Sequence, residues 1–154
     1  MIIPWDELDS FFKKLRDEGK TIVFTNGCFD IIHVGHVRYL KKAKELGDVL
    51  VVAVNSDRSV REIKGEGRPI VGERERAEIL LSLKPVDYVT IFDDTSPLET
   101  IKKVKPHILV KGGDWTPETT IGREFVESYG GKVIIIPYVE GYSTTSIVKK
   151  IKST

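Results

Sequence analysis

Short β-branched runs alternate with longer charged segments along the whole chain. Five runs, at residues 21–25, 49–55, 88–92, 108–111 and 132–137, are almost continuously apolar, the pattern of strands buried on both faces of a parallel sheet. Between them, apolar positions recur at helical spacing and predict helices over 6–18, 34–46, 73–83, 97–104, 122–129 and 144–151. The punctuation agrees: Gly19 and Gly47 follow two helices, Ser96-Pro97 opens a third, and Gly130-Gly131 closes a fourth. Residues 57–72 fit neither period. They hold Arg58, Arg61, Lys64 and Arg68 among three glycines and Pro69, and read as a mobile basic loop, either functional or plainly disordered. Right-handed crossovers make this alternation an α/β, doubly wound, five-stranded parallel sheet. Its ligand crevice lies beyond the carboxyl ends of the strands, at the switch point.

Composition narrows the class. A chain of 154 residues with 40% hydrophobic and 31% charged residues fits one globular domain, residues 1–154, around one core. Lys+Arg of 24 against Asp+Glu of 23 leaves +1, with no one-sign field to draw nucleic acid or a membrane surface. If a polyanion binds here, it binds at a local site. The single cysteine, Cys28, excludes an internal disulfide and a zinc ribbon, and suits a cytoplasmic protein. Pro4, Asp6, Glu7 and Asp9 break any signal-peptide pattern, and apolar runs such as 49–54 fall far short of the ~20 residues of a membrane span. Glutamine is absent, asparagine occurs only at positions 26 and 55, and Lys and Glu dominate the charge, a composition in the direction of thermophilic proteins.

The first strand runs into Asn26-Gly27-Cys28-Phe29-Asp30-Ile31-Ile32-His33-Val34-Gly35-His36, where a helix begins. Two of the three histidines thus stand three residues apart at a helix start, beside orphan N–H groups and the positive end of the helix dipole, a place that favours an anion. Gly35 between them lets a bulky ligand such as a triphosphate approach the backbone. Ordinary capping histidines fit the same spacing, as does a metal pair if further ligands come near.

The HVGH segment resembles the signature of the nucleotidyltransferase superfamily that includes cytidylyltransferases and adenylyltransferases, in which HxGH follows the first strand of a Rossmann-like sheet. Further along stand Arg61-Glu62-Ile63-Lys64-Gly65, Glu75-Arg76, Lys111-Gly112-Gly113-Asp114-Trp115 and Glu140-Gly141-Tyr142-Ser143-Thr144-Thr145-Ser146-Ile147, in the order found in that superfamily. Together they look like the adenylyltransferase domain of bacterial ADP-heptose synthases, the heptose 1-phosphate adenylyltransferases of the RfaE domain II type. The resemblance covers about residues 15–152.

What it implies is transfer of AMP from ATP to a heptose 1-phosphate, with His33, His36 and Lys64 as the catalytic residues. Asn26, Gly27, Cys28, Phe29, Gly35, Gly112, Asp114, Gly141, Ser143, Thr144 and Thr145 join the histidines around the nucleotide. Lys64, Arg68, Arg76, Lys111, Asp114 and Trp115 fall to the sugar phosphate, and Asp30 to holding the HVGH turn. Mg2+ accompanies ATP, carried by phosphates and water because no carboxylate cluster is evident. The resemblance also implies a homodimer and, since no kinase domain is present, a separate heptose kinase. Each residue has a plainer use: Lys64 and Arg68 as solvated basic surface, Ser143 as a helix cap, Trp115 as a buried turn residue. Two departures from the glycerol-3-phosphate cytidylyltransferases count against CTP: Cys28 replaces their Thr, and Tyr138-Val139-Glu140-Gly141 lacks their Arg. A cytidylyltransferase for glycerol 3-phosphate or ethanolamine phosphate, an FMN adenylyltransferase, and a nucleotide sensor without turnover are the competing readings.

Overall fold

The computed structural model describes residues 1–113, 116–137 and 143–154. A 3-10 turn at Trp5–Glu7 leads into α1 (Leu8–Asp17), β1 (Ile22–Gly27), α2 (Val34–Lys44) and β2 (Val49–Asn55). Then come α3 (Asp57–Lys64), α4 (Glu73–Leu81), β3 (Tyr88–Phe92), α5 (Leu98–Val104) and β4 (Ile108–Gly112). A 3-10 turn at Pro117–Thr119, α6 (Arg123–Glu127), β5 (Lys132–Ile136) and α7 (Thr144–Ser153) complete the order. The strands form one parallel sheet in the order β3-β2-β1-β4-β5. The direction of winding therefore reverses between β1 and β4, as expected of a Rossmann-like doubly wound sheet. These two strands pair only at Val23↔Ile108 and Phe24↔Leu109, so the sheet opens a crevice above them.

Burial on both faces explains the unbroken apolar runs. Ile22 and Phe24 pack with Leu8 and Phe12 of α1, Ile101 and Val104 of α5 and Val126 of α6. Val23, between them, faces the other way, toward Leu40 and Ala43 of α2 and Ala77 and Leu80 of α4. Period-two alternation thus serves two cores with the same residue types.

Two segments depart from the sequence expectation. The first half of the basic loop, Asp57–Lys64, is helical: Ser56 Oγ accepts from Ser59 N at 3.1 Å and caps it. Only Ser59 and Val60 are buried in it, too little apolar content to show a period. The N-terminal helix divides into a 3-10 turn and α1, and the residues before it extend the sheet. Ile3 N donates to Val89 O at 2.8 Å and Val89 N to Met1 O at 3.2 Å, beside a parallel bridge between Ile2 and Val89. No helix among the described residues is long and apolar enough to cross a membrane.

The lower rim of the sheet carries a pH-dependent joint. His107 accepts the Ile22 N–H on Nδ1 at 2.9 Å, and its backbone N–H donates to Ile22 O at 3.0 Å. Burial, then the Arg16 charge, push this imidazole below its usual pKa, against a small opposing pull from Asp48. The native state therefore favours neutral His107, and its contribution is complete above the unfolded pKa of ~6.5 and is lost as pH falls below it. His107→Asn supplies an acceptor that does not titrate near neutrality. Urea midpoints measured from pH 8 to pH 5 should fall more steeply for the parent chain than for this variant, and parallel curves would refute the assignment.

Candidate active site

The crevice is built on the turn between β1 and α2. Phe29 (φ 49°) and Ile31 (φ 56°) both lie in the left-handed region, a genuine outlier for a β-branched side chain. Separate restraints hold this strain in place. The Asp30 carboxylate accepts from Ile70 N at 2.8 Å, Val71 N at 2.9 Å and Arg68 Nε at 2.8 Å. The Asp30 carbonyl accepts from Thr144 Oγ1 at 2.7 Å, and the Cys28 carbonyl from Arg76 Nη1 at 2.6 Å. Burial alone would raise the Asp30 carboxyl, but the two amides and Arg68 outweigh it and hold the group below its ordinary range. Asp30 does secure the turn, as the sequence suggests, by clamping the loop after α3 and the start of α7 onto it.

His33 and His36 are bound to one another through the backbone. His33 is the N-cap of α2, its Nδ1 accepting from Gly35 N at 3.0 Å, while His36 Nδ1 accepts from His33 N at 3.2 Å. The rings stack with centroids 3.9 Å apart, and Phe29 lies 5.4 Å from His36. An Nδ1 that accepts leaves the proton of the neutral ring on Nε2, on the side of the ring away from the cap. Burial lowers both pKa values, that of His36 to about 4 with the His33 charge as a second cause. Near neutrality the pair is two stacked, uncharged donors at the positive end of a helix. Capping and anion binding, alternatives in the sequence, are here compatible uses of opposite ring edges.

Across the switch point, Lys111 Nζ donates to Asn26 Oδ1 at 2.6 Å and spans the gap where β1 and β4 part. Burial pulls this amine down to about 8. A Cβ on Gly112 would stand 3.2 Å from the Tyr39 ring, and one on Gly27 3.0 Å from Phe29, so neither position has room for a side chain without movement. On the third side α7 presents its first turn, with Ser143 Oγ accepting from Ser146 N at 3.0 Å. The hydroxyl proton of Thr144 is already committed to Asp30 O, so this side chain docks the helix, and Thr145 is exposed beside it. Asp114, Trp115 and Gly141 lie outside the described residues.

The basic residues separate into different roles. Lys64 ends α3 and is exposed, and Arg68 sits against Asp30 at the crevice margin. Both act on the Cys28 thiol, as does Arg76, although burial dominates and raises that thiol. Arg76, expected at the sugar phosphate, is 0% exposed. Its guanidinium donates to Val71 O at 2.8 Å, Cys28 O at 2.6 Å, Asn55 O at 2.8 Å and Asp57 Oδ1 at 2.8 Å. It faces protein on every side and fastens β1, β2, α3 and α4 together beneath the site. Sequence reasoning did not find the framework around it: Asn55, Asp57 and Glu73, whose Oε1 accepts from Asp57 N at 2.9 Å. Asn55, one of only two asparagines and the last residue of a strand, was the available signal.

The chain is 56% identical over 146 residues to the bifunctional protein HldE of Pelobacter propionicus, covering 95% of this chain and 30% of that protein. It is 58% identical over 136 residues to the bifunctional protein HldE of Syntrophotalea carbinolica, covering 88% of this chain and 28% of that one. The chain thus spans about a third of the length of these relatives. The crystal structure of the lipopolysaccharide core biosynthesis protein from Thermoplasma volcanium superposes with a TM-score of 0.63 at 34% identity, covering 81% of this chain and 100% of that one. The cytidylyltransferase-like family profile matches residues 24–154, from β1 through α7 and so across every wall of the crevice. With its paired histidines at the switch point of a parallel sheet, the chain belongs to the cytidylyltransferase-like family of nucleotidyltransferases.

Proposed function

We propose that the chain transfers the AMP group of ATP to D-glycero-β-D-manno-heptose 1-phosphate, giving ADP-heptose and pyrophosphate for assembly of the lipopolysaccharide core. The observation that carries this reading is the His33–His36 capping box, which occupies both Nδ1 atoms and leaves two stacked rings with their Nε2–H donors free of the cap at a helix start. A phosphate oxygen of the sugar phosphate attacks the α-phosphorus of ATP. The new P–O bond forms as the bond to the α,β-bridging oxygen breaks, and pyrophosphate departs with that electron pair. The nucleophile is already ionised at neutral pH, so the chain supplies positioning and charge stabilisation rather than a strong base.

In this mechanism His33 and His36 donate to the α- and β-phosphate oxygens as charge grows on them. Lys64 and Arg68 meet the acceptor phosphate from the α3 side. Lys111 approaches from β4, and the first turn of α7, with Ser143, Thr144 and Thr145, faces the distal phosphates. Arg76 holds the floor. The nucleotide arrives as its Mg2+ complex, the cation being part of the substrate. Among the described residues no three His, Cys, Asp or Glu side chains stand together.

Support for the heptose acceptor comes from the HldE relatives and from Cys28, which gives the turn a thiol where glycerol-3-phosphate cytidylyltransferases place a hydroxyl. Pyrophosphate release, measured with ATP or CTP against heptose 1-phosphate, glycerol 3-phosphate and FMN, tests it. Release with ATP and the heptose alone is expected. Release with another pair would replace the substrates, and silence throughout would remove the enzymatic reading.

A further inference from the structure

The helix that ends on Lys64 is α3. Its first turn is held on two sides. Toward β3, Ser56 Oγ donates to Asp93 Oδ1 at 2.6 Å, and Arg58 Nε reaches the same carboxylate at 3.1 and 3.2 Å. Arg58 Nη2 also donates to the Asp93 carbonyl. Toward α4, Glu73 takes Asp57 N, and Arg76 takes the Asp57 carboxylate. Beyond Val60 nothing in α3 is buried: residues 61–67 are all exposed, and the next tie to the body of the protein is Arg68 on Asp30. Gly65 (φ 93°) and Gly67 (φ 87°), with open space where a Cβ would stand, lie between the two ties. The helix is a cantilever, rooted at Ser56–Val60 and carrying Lys64 at its tip.

We propose that Asp93 is a positioning residue for nucleotidyl transfer, acting through α3 by setting the angle at which Lys64 enters the crevice. This rests on the catalytic assignment of Lys64 made above. The four residues beyond Val60, at ~1.5 Å each, give a lever of about 6 Å, so a tilt of about 15° at the root moves the tip by about 1.5 Å. Misplacement of about 1 Å at a reacting centre can already cost a large factor in rate. The Asp93 and Arg58 side chains are 67% and 53% exposed, and ion pairs at such positions contribute little to global stability. Aim and stability are therefore separable here. The same two bonds, first from Ser56 and then from Arg58, hold the Asp93 carboxyl below its ordinary range, so it stays ionised through the neutral region.

The experiment is a double-mutant cycle on the full chain with ATP and the acceptor that supports turnover, together with amide hydrogen exchange over residues 57–64. Asp93→Ala is expected to lower kcat/KM for the acceptor about tenfold, speed exchange in α3 and leave Tm within about 2 °C. Asp93→Asn, which keeps an oxygen acceptor for Ser56 and Arg58, should recover most of the activity. In the Lys64→Ala background Asp93→Ala should cost less than about twofold, because the lever then carries nothing. An undiminished loss in that background, unchanged exchange in α3, or full activity of Asp93→Ala would each overturn the inference while leaving the function standing. Full activity of Lys64→Ala would overturn the role of Lys64 and this inference together.

Discussion

His36→Asn is expected to lower kcat by about 10²- to 10³-fold, the range for loss of one preorganised donor to developing charge, with a much smaller change in the affinity for ATP. Asparagine is the informative replacement because its Oδ1 falls near the place of Nδ1 and can still accept from His33 N, preserving the cap of α2. What disappears is the Nε2–H. His36→Gln does the reverse, offering an N–H near the Nε2 position while withdrawing the cap acceptor, and should retain more activity. The pH profile provides a second check. With the His36 pKa at about 4, the free protein keeps an uncharged donor well below neutrality. The acid limb of kcat/KM for ATP should accordingly lie below about pH 6, not at the ordinary histidine value. An asparagine variant with the parent kcat would remove His36 from the mechanism.

Arg76→Met should produce the largest loss of stability of any substitution near the site, about 3–5 kcal/mol out of the ~5–15 kcal/mol typical of a domain. Methionine fills much of the volume but cannot donate, so the carbonyls of Cys28, Asn55 and Val71 and the Asp57 carboxylate all lose a partner at once. The cost should appear as a lower urea midpoint with an unchanged m-value. Activity should fall as well, since the Cys28 carbonyl is one of the points restraining the turn that carries the left-handed Phe29 and Ile31. Arg76→Lys, with a single ammonium for acceptors that point in different directions, should recover only part of the stability. A methionine variant within about 1 kcal/mol of the parent would show that the network is not a structural keystone.

Much of this architecture was readable in advance because strong local signals and the global fold agree. Each of the five strands is a run of β-branched residues, and each falls within one or two residues of its expected place. The HVGH turn announced itself through two histidines and a glycine at a strand-to-helix junction. What could not be read was the division of labour among cations. In the sequence Arg68 and Arg76 are both basic residues downstream of a strand. One lies at the crevice margin on Asp30 and the other is sealed beneath the site, and that distinction depends on contacts up to 48 positions apart. The helical nature of Asp57–Lys64 was hidden for a related reason. Its root is fixed by Asp93 and Glu73, from elements later in the chain, rather than by an apolar stripe of its own.

The clamp on Asp30 bears on how such a protein can change over time. Its carboxylate holds residues 68–71 and its carbonyl holds Thr144, so three stretches of chain far apart in sequence meet on one side chain and its peptide. None of the three can drift alone. A lengthened loop after α3, a different first residue in α7 or a reshaped turn would each leave polar groups of the other two unmatched. Variation in these segments should therefore arise as linked sets, and grafting one of them from a relative should succeed only when the other two travel with it.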